Sequence, residues 1–142
     1  MSTLHRHLVN ALEQCGAGAG TIHERSGAIL RLKAAHGIPE STLSLIQEIP
    51  HGKGMAGQAW AQQQPVSTCN LREDPHASIQ PGARDVDAQR AIAFPINDPA
   101  GQVQFVIGFA FAHGASTKPR VSDEELRAAA EHLATIGRQG QT

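Results

Sequence analysis

Apolar residues recur every three or four positions at the start of the chain, at Leu4, Leu8, Leu12 and Cys15 with Val9 and Ala11 beside them, and the pattern stops at Gly16, Gly18 and Gly20. This spacing predicts an amphipathic first helix whose stripe faces a core, with Cys15 a small buried residue on it. His5 and His7 fall on different faces of that helix and read as solvated. The period then changes. Residues 21–24 and 28–35 read as two strands around an Arg25-Ser26-Gly27 turn, with Ala28, Leu30, Leu32 and Ala34 in one row and Ile29, Arg31 and Lys33 in the other. Pro39 opens a second helix carrying Leu43, Leu45, Ile46 and Ile49. His36 and His51 flank it as single loop histidines without a metal-ligand pattern.

The middle of the chain is a loop, a short helix and a strand in quick succession. Gly52, Gly54 and Gly57 crowd the front of a helix with apolar Met55, Ala56, Ala59 and Trp60, and Pro65 forces an extended segment at 66–69. The glycine spacing is not that of a phosphate-binding P-loop, although the helix N-terminus has N–H groups to offer a ligand. Residues 70–89 are rich in Asp, Pro, Gly, Arg and Ser. They read as a long loop, either a solvated flap whose charges pair locally or a lid over a pocket.

Strands at 90–96 and 102–112 follow, joined by an Asn97-Asp98-Pro99-Ala100-Gly101 turn. On the second, Val103, Phe105, Ile107, Phe109 and Phe111 point one way, and Val106, Gly108, Ala110 and Ala112 point the other. The bulky row should meet helices, and the small row should leave volume for a ligand on the opposite face. Ser122-Asp123-Glu124-Glu125 is a capping box opening a last helix with Leu126, Ala129, Ala130, Leu133 and Ile136 on one side. The order predicts an α+β sandwich: a central, mostly antiparallel sheet, terminal helices on one face, and short helices plus the long loop on the other.

Composition narrows the function classes. The 142 residues suit a single domain, 1–142 with its core at about 4–136. A formal net charge of −1 offers no general attraction for nucleic acid or an anionic membrane. The N-terminal stretch has no continuous apolar run, so a cytoplasmic location is expected. Cys15 and Cys69 lie outside any Cys-x-x-Cys pattern and read as free thiols. Neither a metal nor a cofactor is expected.

Four spaced features, "AAHGIPE", "GKGMAGQAW" with "QPV", "RAIAFPI" and "VIGFAFA", occur in an order and spacing that resemble the GAF domain family over most of the chain. The resemblance implies a GAF-like, profilin-like sandwich and a non-enzymatic, small-molecule-binding sensory domain of signal transduction. Such domains are often fused to signalling partners and often form homodimers through their terminal helices. Small residues Ala11, Ala129, Ala130 and Ala134 beside the Leu stripe agree with a homodimer. A ligand-free dimerisation module is one alternative.

Another is a thiol-dependent free methionine sulfoxide reductase, because members of that branch are also stand-alone GAF domains. Such an enzyme needs a nucleophilic thiolate and a resolving cysteine. Here Gly54-Met55-Ala56-Gly57 and the following loop carry none, which argues against it. Bilin carriers need a Cys-His pair, matched poorly by Cys69 and His76, and cyclic-nucleotide binders an Asn-Lys pair where Ala112-His113 stands. The expected ligand site comprises Trp60, Cys69, Arg72, Arg90, Phe94, Gly108 and Ala110. Arg90 is the expected direct contact to a small anionic or polar ligand, Trp60 and Phe94 an apolar wall, and Lys53 and Arg84 further cations.

Overall fold

The computed structural model describes residues 3–69, 88–112 and 122–139. Four helices and six strands follow in the order α1 (Thr3–Cys15), β1 (Ala19–Ser26), β2 (Ile29–His36), α2 (Glu40–Leu45), β3 (Glu48–Pro50), α3 (Gly54–Gln62), β4 (Val66–Cys69), β5 (Ala88–Asn97), β6 (Val103–Ala112) and α4 (Asp123–Gln139). The strands form one antiparallel sheet in the order β3-β2-β1-β6-β5-β4. The expected α+β sandwich is therefore the architecture found.

Side-chain parity on the central strands divides the interior. Phe105, Ile107 and Phe109 of β6 and Ile92 and Phe94 of β5 pack with Leu8, Leu12, Leu126 and Leu133, so α1 and α4 cover one face together. Burying each such side chain contributes on the order of 2 kcal/mol. On the other face Val106, Ala93 and Leu30 meet Ile46, Ile49 and Ala59 in a second cluster beneath α2 and α3. The capping box forms as read: Glu125 N donates to Ser122 Oγ at 3.1 Å, and Ser122 N donates to Glu125 Oε1 at 3.3 Å. At the other end of α4, Arg138 donates to Gln104 Oε1 at 2.7 Å and to Asn97 O at 2.9 Å, fastening the helix to the β5–β6 hairpin.

Several local expectations are corrected. The second helix stops at Leu45; Ile49 belongs to β3, a three-residue edge strand paired with β2 that the helical spacing concealed. The first hairpin turns one residue later than read, since Ser26 already pairs with Ile29. Val103 leaves the bulky row because the β5–β6 register shifts between Ile96 and Asn97, sending it to the second cluster. The α1 histidines are not simply solvated: His5 meets His36 edge-on at 5.7 Å between ring centroids, and His7 meets His132 at 6.0 Å. Pro95 is tolerated inside β5 because it lies beyond the reach of β4, whose pairing ends at Ala93.

Two glycines fix how closely helices approach the sheet. A Cβ on Gly57 would stand 2.6 Å from the Pro50 carbonyl oxygen, and one on Gly137 would stand 2.9 Å from Phe105 Cζ. The Gly57 contact is with backbone, which cannot rotate aside, so α3 can lie against the β3 exit only with glycine there. At Gly137 the obstacle is a ring on the best-packed strand. Gly137→Val should destabilise the protein by about 1–3 kcal/mol by overpacking. Combined with Phe105→Leu, it should cost less than the two single variants added together, as thermal denaturation of all four proteins would reveal.

Candidate functional site

The small residues of the central strands lie in register. Ala91 pairs with Ala110, Ala93 with Gly108, and Gly108 with Thr21 of β1. This makes a shallow floor across three strands where bulky side chains would otherwise stand. Above it stand Ile38, then Thr42 and Ile46 from the α2 segment, Ile49 of β3, and Gly54, Met55 and Ala56 at the start of α3. Between floor and walls is a cavity of about 130 Å³.

The wall at α3 carries backbone donors. The first helical hydrogen bond there runs from Gly57 N to Lys53 O at 3.0 Å, so the N–H groups of Gly54, Met55 and Ala56 precede it. Lys53 occupies the N-cap without a side-chain capping bond. The helix therefore presents its positive end to one side of the cavity.

The polar lining side chains are Thr21, Thr42 and His23. His23 sits in β1 between β2 and β6, and is 1% exposed. Its Nε2 lies 2.9 Å from the Ile46 carbonyl oxygen. Because a carbonyl only accepts, Nε2 carries the proton, which leaves Nδ1 as a bare acceptor. Nδ1 is buried and has no hydrogen-bond partner among the described residues. Burial pushes the His23 pKa down to about 4, only partly offset by the bond to Ile46, so the ring is neutral at pH 7.

The structure brings together only part of the residue set expected from sequence. Gly108 and Ala110 line the cavity. Arg90 and Phe94 do not; both alternate onto the helix-covered face. Arg90 donates to Asp123 Oδ1 at 2.7 Å and lies over the Phe111 ring, while Phe94 is buried against Phe109 with Arg127 over its ring. The reason is parity: Ala91 and Ala93 face the cavity, so their even-numbered neighbours face α4. Trp60 packs at the margin of the second cluster with its ring 4.6 Å from that of His51, and it lies outside the cavity lining. The β4 register puts Cys69 opposite Arg90. Lys53 is exposed. Arg72, Arg84, His76 and the proposed lid lie outside the described residues.

No Lys or Arg is among the described residues lining the cavity, so an anion bound there would lack the cation expected of Arg90. Sequence reasoning missed His23. The available signal was its place within a strand now seen to be central and covered on both faces, a position where a polar ring needs a reason. Among the described residues no group of three or more His, Cys, Asp or Glu is placed to hold a metal ion. No described helix is long and apolar enough to cross a membrane.

No curated protein matches the sequence. Among solved structures, the free methionine-R-sulfoxide reductase from Neisseria meningitidis, in complex with its substrate, is 21% identical with a TM-score of 0.68, covering 94% of this chain and 72% of that one. The type II enzyme from Thermoplasma acidophilum is 16% identical with a TM-score of 0.69, covering 92% and 84%. The GAF domain of a phosphoenolpyruvate-protein phosphotransferase from Coxiella burnetii is 17% identical with a TM-score of 0.71, covering 95% and 80%. At such identities the likeness is one of fold. The GAF domain model itself matches residues 1–138, and with the sheet order and paired terminal helices described above, the chain belongs to the GAF domain family.

Proposed function

We propose that the protein is a small-molecule-binding regulatory domain whose ligand occupies the cavity between the Ala91–Ala93–Gly108–Ala110 floor and the α2–α3 wall. The observation that carries this reading is the cavity itself, hollow on one face of strands whose other face is filled. The cavity of about 130 Å³ is lined chiefly by apolar groups and is partly open to solvent, so those groups face water at a cost of about 25 cal/mol per Å². A bound molecule would recover part of that.

The second reading, a thiol-dependent methionine sulfoxide reductase, is favoured by the fold shared with two such enzymes. The thiol positions count against it. Cys15 is buried in the helix-side core, and burial followed by the nearby Glu125 charge pushes its pKa up, away from the reactive thiolate. No cysteine is among the described lining residues. The protein's output would then be association with a second copy or with a partner protein. The terminal helices bury their apolar stripes within the chain, and the one large exposed hydrophobic among the described residues is Leu45 on α2. An interface on α1 and α4 would accordingly be polar.

A thermal-shift screen of small metabolites should give compounds that stabilise the wild type but not Ala110→Leu, in which the cavity is filled; equal stabilisation of both would defeat the cavity reading. Sedimentation at micromolar concentration with and without such a compound should show a ligand-dependent change of mass, and a monomer in both cases would remove self-association. With free methionine sulfoxide and a thiol reductant, no turnover is expected, and turnover abolished by Cys69→Ser would establish the reductase. The neutrality of the cavity also has a pH signature. The unfolded chain protonates His23 below its ordinary 6.5, but the folded chain does so only near 4, so stability is full above pH 6.5 and falls as the pH drops towards 4. Between pH 7.5 and 5 the wild type should lose about 2 kcal/mol more than His23→Gln in urea denaturation.

A further inference from the structure

We infer that His7 of α1 and His132 of α4 form a binding site for a divalent transition-metal ion of the zinc class, on the face of the sheet opposite the cavity. The two rings meet edge to face, with 6.0 Å between their centroids and 77° between their planes. They come from the first and last helices, so the packing of those helices, and no local pattern, brings them together. Leu8 follows His7 and Leu133 follows His132, and both leucines are fully buried in the same core cluster. Each histidine therefore sits on backbone that the core holds in place, while its ring stands at the rim of the seam, His7 half-buried and His132 exposed. The pair is thus fixed in spacing and open to an ion arriving from solvent.

Imidazoles that share one zinc ion, each nitrogen about 2.0–2.1 Å from the metal, have ring centres roughly 5–6 Å apart. The separation found here is at the edge of that range, and the exposed His132 ring can turn about its side-chain bonds to close the difference. Neutral imidazole is a ligand for zinc, copper and nickel, whereas magnesium and calcium take oxygen. Among the described residues no third His, Cys, Asp or Glu joins the pair. The protein therefore supplies two ligands and water completes the shell, which makes the site an open one rather than a closed structural centre. An ion held there ties α1 to α4 and stabilises the folded chain in proportion to its occupancy. The His5–His36 pair, at 5.7 Å, is a weaker candidate: His36 ends β2 beside Gly37 at φ 74° and has no buried neighbour in sequence on either side, so the spacing of that pair is held less firmly.

Zinc chloride titrated into the full-length chain, first freed of metal with a chelator, tests the site by calorimetry and by thermal denaturation. The wild type should bind zinc and melt at a higher temperature with it, and magnesium should do neither. His132→Ala changes an exposed residue and leaves the fold intact, yet it should weaken zinc binding at least tenfold and abolish the rise in melting temperature, since loss of a ligand costs no less than the roughly 10–100-fold lost with a ligand's supporting group. His7→Gln should do the same. His132→Cys should restore binding, because a thiolate is also a zinc ligand, whereas a merely structural role for the ring would not be rescued in this way. His36→Ala should bind zinc as the wild type does. Absence of zinc binding at millimolar metal would overturn the proposal, as would equal zinc binding by the wild type, His7→Gln and His132→Ala, which would put the ion elsewhere on the chain. Loss of binding in His36→Ala with retention in His132→Ala would overturn it as well, by assigning the ion to the other histidine pair.

Discussion

The alternation of large and small side chains along β6, read together with the register that aligns it between β1 and β5, is the constraint on which the other features depend. Phe105, Ile107 and Phe109 give α1 and α4 something to pack against, and the bond between the terminal helices and the sheet is dense enough that a Cβ at Gly137 would strike a ring. On the opposite face the same strand offers Gly108 and Ala110, and the partner strands answer with Ala91, Ala93 and Thr21 at the same register. Had any one of these been a leucine, the floor would have been filled. The larger core cluster therefore lies on one side of the sheet, and on the other side the hollow sits beside a smaller one.

What keeps the hollow open is the placement of its walls. α3 is brought down onto the β3 exit at Gly57, where no side chain intervenes, and its first turn is thereby aimed along the floor. The α2 segment is short and ends at Ile46, whose carbonyl accepts from His23 across the cavity edge. One hydrogen bond thus does two things: it satisfies a buried carbonyl at a helix C-terminus, where carbonyls are otherwise left over, and it holds an imidazole in a single tautomer. Polar groups in a low-dielectric interior are costly when unmatched and directional when matched, and His23 has one nitrogen in each condition.

The fold was largely legible because its signals are periodic and local. The α1 stripe, the β6 alternation and the Ser122–Glu125 capping box each specify their element within a few residues, and tertiary contacts reinforced them. The errors arose where periods conflict. Ile46 and Ile49 are spaced as on a helix, yet Ile49 pairs as a strand because β2 offers an edge. The site was less legible, for a different reason. Gly108 and Ala110 were accessible from alternation alone, but which face Arg90 takes depends on the parity of β5 relative to β6, a long-range register that no local pattern encodes. His23 was overlooked because its significance comes from what is missing around one atom, and that is a property of the packed structure.

Arg25, Arg90 and Arg138 are engaged in hydrogen bonds away from the cavity. Arg90 ties β5 to the acidic first turn of α4, where Asp123 also meets the positive helix end; Arg138 fastens the last turn of α4 to the β5–β6 hairpin; and Arg25 donates to the Val103 carbonyl at 2.8 Å. Each is used to attach one element to another at the surface, where a guanidinium remains hydrated while its fork satisfies carbonyls or carboxylates. None of these tasks places a cation at the cavity. Among the described residues the polar groups at the cavity are uncharged: Thr21, Thr42, His23 and the first N–H groups of α3. Such groups discriminate by hydrogen-bond polarity rather than by charge. The same architecture that gives these arginines structural work therefore leaves the described lining of the cavity without a cation.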